Sequence, residues 1–124
     1  MSKTIPTQEY ELVVAAVQTY IDGLQCGDTK TLSRAFHNDA VMYGYSGDSL
    51  LGGPIENLYE FVRRHGAATQ VKTHTDVLSI TPTTAVVRVD MENDAAGLNY
   101  TDFHTLIKVD EHWCIIAKTF HQYD

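Results

Sequence analysis

Residues 99–121 read NYTDFHTLIKVDEHWCIIAKTFH, and this stretch decides how the rest of the chain is understood. Tyr100, Thr101, Phe103, Thr105, Ile107 and Val109 lie on one side of Asp110-Glu111, and Trp113, Ile115, Ile116, Thr119 and Phe120 on the other. Aromatic and β-branched residues suit a pleated, half-buried surface, and the acidic pair between them suits a two-residue loop. With that loop, antiparallel partners sum to a constant, so Ile107 opposes Cys114, Thr105 opposes Ile116, Phe103 opposes Lys118 and Thr101 opposes Phe120 on one side. The other side carries Asp102, His104, Leu106, Trp113, Ile115 and Ala117. Neither side is cleanly polar, so both are expected to be covered, one by helices of the same chain and one by a second subunit. The homodimer expected on this basis forms through the sheet, with Leu106, Trp113, Ile115 and Ala117 as its apolar patch.

Outward from the hairpin, residues 70–80 and 84–93 read as two more strands joined at Thr81-Pro82-Thr83, and Asp94-Ala95-Ala96-Gly97 turns the chain into the last pair. Upstream, Pro54 opens a helix through Arg64 with Ile55, Leu58, Phe61 and Val62 as its inner face. Residues 41–45 form a strand interrupted by Gly44, and a glycine there marks a bend or a close approach to the backbone. Residues 46–53 are a glycine-punctuated loop with a brief edge strand at 49–51, and residues 37–40 are a turn. Near the N-terminus Tyr10, Val13, Val14, Val17, Tyr20, Ile21 and Leu24 recur three or four apart, the stripe of an amphipathic helix that Thr7 caps and Gly27 ends. Asp28 caps a short second helix over 29–36. The order is helix, helix, strand, helix, then four strands in a meander. It gives a single α+β domain over residues 1–124, with three N-terminal helices packed on a curved, mostly antiparallel sheet.

A chain of 124 residues, 44% of them hydrophobic, buries roughly two-thirds of its unfolded surface as one domain. No apolar run reaches bilayer-spanning length and the N-terminus lacks a secretory pattern, so the sequence reads as a soluble cytoplasmic protein with no membrane partner. Nine basic against sixteen acidic residues give a net charge of −7. Arg63-Arg64 is the one basic pair and it sits at a helix end, which argues against nucleic acid as a partner. The two cysteines, Cys26 and Cys114, lack metal-type spacing and read as reduced thiols. The six histidines show no pair four apart and no His-x-His, so neither a metal nor any other cofactor is expected.

Three stretches carry a resemblance: residues 17–28 (VQTYIDGLQCGD), 36–41 (FHNDAV) and 100–120. On these the chain resembles the nuclear transport factor 2-like superfamily, the cone-shaped, cystatin-like fold shared with ketosteroid isomerases, scytalone dehydratase and polyketide cyclases. Its ending (YTDF, LIKVD, Trp113 and KTF) is most similar to the group named putative lumazine-binding. The resemblance implies a pocket between sheet and helices for a small hydrophobic molecule, lined by Tyr20, Met42, Gly44, Phe61, Phe103, Ile116, Lys118 and Phe120. Against ketosteroid isomerases, Tyr20 falls at the oxyanion-hole tyrosine, although a core tyrosine at helical spacing is an equal reading. The catalytic base does not carry over, because Gly44 stands at its place. The second oxyanion donor aligns with Phe103, or with Asp102 after a slip of one residue. His74 matches the dehydratase strand that holds a catalytic histidine. Lys118 points inward and therefore requires a partner, or else reaches solvent at the rim.

Three functions follow as alternatives: a small-molecule-binding protein of unassigned ligand, an isomerase, dehydratase or cyclase with Tyr20, His74 and Asp102 as candidate catalytic residues, or a dimerisation module. Convergence of two titratable groups in the pocket favours the enzyme; a filled pocket favours the module.

Overall fold

Val13, Val17, Tyr20, Ile21 and Leu24 form the buried stripe of α1 (Thr7–Cys26), while Tyr10 and Val14, one step round the helix, are 42% and 39% exposed. Gly27 ends α1 in the left-handed conformation at φ 64°, and Pro6, not Thr7, is its N-cap. α2 (Thr29–Ala35) follows, capped by the Asp28 side chain. The chain then continues through β1 (Phe36–Ser46), β2 (Ser49–Pro54), α3 (Glu56–His65), β3 (Lys72–Ile80), β4 (Thr84–Glu92), β5 (Asn99–Val109) and β6 (His112–Tyr123). This computed structural model describes residues 4–124. No described helix is long and apolar enough to cross a membrane.

The six strands form one sheet in the order β2-β1-β6-β5-β4-β3, antiparallel except where β1 runs parallel to β6. The architecture is therefore α+β, with a mostly antiparallel sheet and three helices. Residues 37–40, expected as a turn, are extended between Phe36 and Val41, which pair with Ile115 and Ala117 of β6, although the four have no partner of their own in that ladder. The register is irregular between Phe36 and Val41.

The loop of the last hairpin is the expected pair, with Asp110 and Glu111 at φ 50° and 67°, the signs a type I′ turn requires. From it the anticipated register holds as far as Leu106 opposite Ile115. Then it shifts by one: Thr105 pairs with Ala117, His104 with Lys118 and Asp102 with Phe120, leaving Ile116 as the extra residue of a β-bulge. The bulge reverses the alternation of β6, so Lys118 and Phe120 join the face that already carries Trp113, Ile115, Leu106, His104 and Asp102.

That face meets the helices. Leu106 and Ile115 are fully buried and Trp113 is 7% exposed, in one core with Val13, Val17, Ile21 and Leu32. Leu106, Trp113 and Ile115 are thus part of the chain's own interior, and Ala117 lies apart from that core at the bulge, so the four do not form the exposed dimer patch expected from the sequence. The start of α1 is tied to the same hairpin through Glu9, whose Oε1 accepts from Lys108 Nζ at 2.6 Å and Trp113 Nε1 at 3.3 Å.

Candidate functional site

Burying a tyrosine, a carboxylate, an imidazole and an ammonium together is costly unless each has a partner, so such a cluster marks either a satisfied network or a site. Here Tyr20, Asp102, His104 and Lys118 are 2%, 1%, 0% and 5% exposed. Asp102 and His104 alternate on β5, Lys118 reaches the same face through the bulge of β6, and Tyr20 comes from the inward stripe of α1.

The Tyr20 hydroxyl donates to Asp102 Oδ2 at 2.8 Å. His104 Nε2 lies 3.5 Å from the same oxygen, which is close enough for charge to be felt but longer than a hydrogen bond. Among the described residues Asp102 Oδ1 and both His104 nitrogens have no hydrogen-bond partner. His104 also packs against the Tyr20 ring at 4.9 Å. The Lys118 ammonium sits 4.6 Å over the Phe120 ring and 6.0 Å from that of Tyr20, an arrangement in which ring faces partly replace water around the cation.

These contacts set the protonation states. Burial pushes the Asp102 carboxyl up, but the Lys118 ammonium, neighbouring His104 and the Tyr20 hydroxyl together overcome it and hold the group below the usual carboxylate range. Burial lowers His104, and Lys118 adds to that against the opposing pull of Asp102, so the imidazole is neutral at pH 7. Burial and the Asp102 charge raise the Tyr20 phenol well above its ordinary value, so it keeps the proton it donates. The site therefore contains an ionised carboxylate with one oxygen fixed and the other without a partner.

A cavity of about 670 Å³ opens against this cluster. Tyr20, Asp102 and Lys118 form its closed end, and exposed residues such as Asn57, Glu60 and Arg64 lie toward its mouth. Met42, Phe61 and Phe120 also line it. His104 lies behind Asp102 and is not part of the wall.

Three expected lining residues are elsewhere. Phe103 is 41% exposed on the opposite face of the sheet, under the Arg88 guanidinium at 5.8 Å, because neighbours on a strand alternate and Asp102 is the one that faces in. Ile116 is the bulge residue and does not reach the cavity. Gly44 is covered by Phe120: a Cβ there would stand 2.2 Å from the Phe120 carbonyl oxygen and 2.5 Å from its ring. No carboxylate fits at that position, so the base of the ketosteroid isomerases has no room here. His74 lies on exposed β3, 3.2 Å from Asp76, with its side chain 72% exposed, and does not join Tyr20 and Asp102. His104 was absent from the sequence-based candidates, although its spacing of two from Asp102 carried the signal. Among the described residues no group of three or more His, Cys, Asp and Glu is placed to hold a metal ion.

Comparison with known proteins identifies the family and the fold. The model of a family described as "Putative lumazine-binding" matches residues 8–121. A Cladobotryum protein named aldolase FrzH is 37% identical over 123 residues, covering 99% of this chain and 98% of the relative. Among solved structures, an NTF2-like protein of unknown function from Methylobacillus flagellatus superposes with a TM-score of 0.93 at 30% identity, over 100% of this chain and 99% of the other. A second, from Shewanella baltica, gives a TM-score of 0.90 at 28% identity, covering 98% of each chain.

Proposed function

The chain belongs to the "Putative lumazine-binding" family of NTF2-like proteins, and from that premise we propose that it is an enzyme acting on a small, largely apolar carbonyl compound. The reaction class is proton abstraction next to the carbonyl, with aldol-type carbon–carbon bond formation or cleavage as the form it takes. The observation that carries this reading is Asp102: a buried carboxylate kept ionised, anchored through one oxygen, at the closed end of a cavity. A general base must be unprotonated and have an acceptor atom left unpaired, and ionised Asp102 supplies this through Oδ1, the oxygen that Tyr20 does not occupy.

A cavity of about 670 Å³ suits a ligand of roughly ten to twenty non-hydrogen atoms. In the proposed step Asp102 Oδ1 accepts the proton from the carbon beside the carbonyl, while the electron pair moves onto the carbonyl oxygen. The Lys118 ammonium faces the charge developing there, in surroundings that exclude water and so strengthen the attraction. The carbon then adds to a second carbonyl group, and the proton held on Asp102 returns to the new alkoxide. Tyr20 holds the carboxylate in place, and neutral His104 closes the rear of the site without adding charge. The name of the Cladobotryum relative supports carbon–carbon bond chemistry over isomerisation.

Proton exchange in deuterium oxide tests this, with NMR detection of deuterium beside the carbonyl of propanal and cyclohexanone. The protein is expected to accelerate exchange, and Asp102→Asn to lower that rate about 10²–10⁴-fold with the fold retained by circular dichroism. Equal exchange rates for the two proteins would remove Asp102 from the chemistry. A pure binding role predicts no acceleration by either.

A further inference from the structure

Lys118 is more than the proposed enolate mechanism requires. A cation that only stabilises a developing oxyanion is as effective as guanidinium or ammonium and needs no particular reactivity. Lys118 differs from an ordinary structural lysine in three respects. It is 5% exposed, far below the usual exposure of lysine. It makes no hydrogen bond or ion pair with another described residue, whereas Lys108, also on the hairpin, is paired with Glu9 and Glu111. Its ammonium projects into the closed end of the cavity over an aromatic ring, on the strand face that also carries Asp102 and His104.

Resting on the reading above, we infer that Lys118 is a covalent catalyst, forming an iminium with the carbonyl carbon of the substrate. The Lys118 nitrogen adds to that carbon to give a carbinolamine. The C–O bond then breaks, the C=N bond forms, and the carbonyl oxygen leaves as water with the two protons the ammonium gives up. No oxidant, reductant or further reactant is needed, and the net charge is unchanged. Asp102 Oδ1 is the group on the same face that carries these protons from nitrogen to oxygen, and it then takes the proton from the adjacent carbon to give the enamine.

The electrostatics favour this route. The iminium keeps a positive charge where the ammonium had it, so the attraction to Asp102 and the contact with the Phe120 ring persist through the step. In the enolate route a full negative charge must build on the carbonyl oxygen, whereas loss of the same proton from the iminium leaves a neutral enamine. A desolvated lysine with a neighbouring proton acceptor is the arrangement that makes an amine nucleophilic in water-excluded surroundings.

The test is reductive trapping. The protein is incubated with propanal, and separately with cyclohexanone, in the presence of sodium cyanoborohydride, and its intact mass and tryptic map are read. The expected result is one adduct, of the carbonyl compound less one oxygen, located on Lys118 and absent from the other four lysines of the chain at early times. Lys118→Arg keeps the charge but lacks the amine; it should give no adduct and lose at least 10²-fold of the deuterium exchange. An adduct spread equally over surface lysines, or none at Lys118 while the unmodified protein still accelerates exchange, would overturn the iminium and leave the enolate reading standing. Absence of both adduct and exchange would overturn both. Full exchange activity in Lys118→Arg would also rule out the iminium, even if a slow adduct formed.

Discussion

Tyr20 and Asp102, 82 positions apart in the sequence, meet at 2.8 Å with the phenol donating to a carboxylate that is 1% exposed. In an apolar site of this kind a carboxyl would ordinarily take up a proton and become a donor itself. Lys118 and His104 on the neighbouring positions reverse that outcome, so the pair here is a donor and an ionised acceptor. The difference decides the chemistry, because a neutral carboxylic acid stabilises charge whereas a carboxylate removes a proton.

Tyr20→Phe removes the hydroxyl and leaves Asp102 Oδ2 without its hydrogen bond. The folded protein is expected to lose about 1–3 kcal/mol, the cost of an unsatisfied buried acceptor, and the Asp102 carboxyl should titrate higher than in the unmodified protein. Urea melts and carbon-13 NMR of the Asp102 carboxyl read the two effects; an unchanged titration would mean that the hydroxyl does not help hold the charge.

Acid should weaken the protein in two stages. His104 is held below its ordinary 6.5, so the unfolded chain binds a proton that the folded one refuses. Its contribution to stability is complete above pH 6.5 and is lost as pH falls from there toward its folded pKa. Asp102 is also depressed, and its contribution begins to disappear below 3.8. Other histidines are common to both proteins, so the informative quantity is the difference in urea midpoint between the native chain and His104→Gln from pH 7.5 to 4.5. A constant difference across that range would count against a buried neutral imidazole.

Gly44→Ala places a methyl group 2.2 Å from the Phe120 carbonyl oxygen. Neither backbone nor ring can yield freely, since Gly44 and Phe120 are direct partners between β1 and β6. A loss of about 1–3 kcal/mol or more is expected by denaturant unfolding. Wild-type stability in this variant would show that the two strands separate easily at this point.

Leu24→Ala and Phe36→Ala should cost about 2–5 kcal/mol each, because both side chains are more than nine-tenths buried in one core and leave cavities. Losses well under 1 kcal/mol in urea melts would mean that the core closes over the gap.

We propose that a second copy of the chain covers the sheet face turned away from the helices. Tyr43, Tyr45, Phe103 and Tyr123 are 46%, 52%, 41% and 45% exposed there, beside Arg88 and Asp90, which offer opposite charges to a two-fold partner. Sedimentation equilibrium is expected to give a dimer at micromolar concentration, and Phe103→Lys to shift it toward monomer. A monomeric native chain would end the proposal.

Local sequence determined much of this protein. The spacing of Val13, Val17, Tyr20, Ile21 and Leu24 defines α1, the alternation along β3 to β6 defines a meander, and Asp110-Glu111 turns the last hairpin, because hydrophobic period and turn chemistry act over a few residues. Tyr20, Met42, Phe61, Lys118 and Phe120, which border the cavity, were implied by the family resemblance rather than by local pattern. What only the tertiary structure decided depends on pairing across the chain. β1 extends through an apparent turn between two residues that pair with β6, Gly44 is sealed because Phe120 is its partner, and one extra residue at Ile116 turns Lys118 toward Asp102 and His104. A bulge leaves no mark in composition or period, since its cost and its benefit are both set by the strands on either side. That single residue brings Lys118 to Asp102, where it joins His104 and Tyr20 in keeping the carboxylate charged.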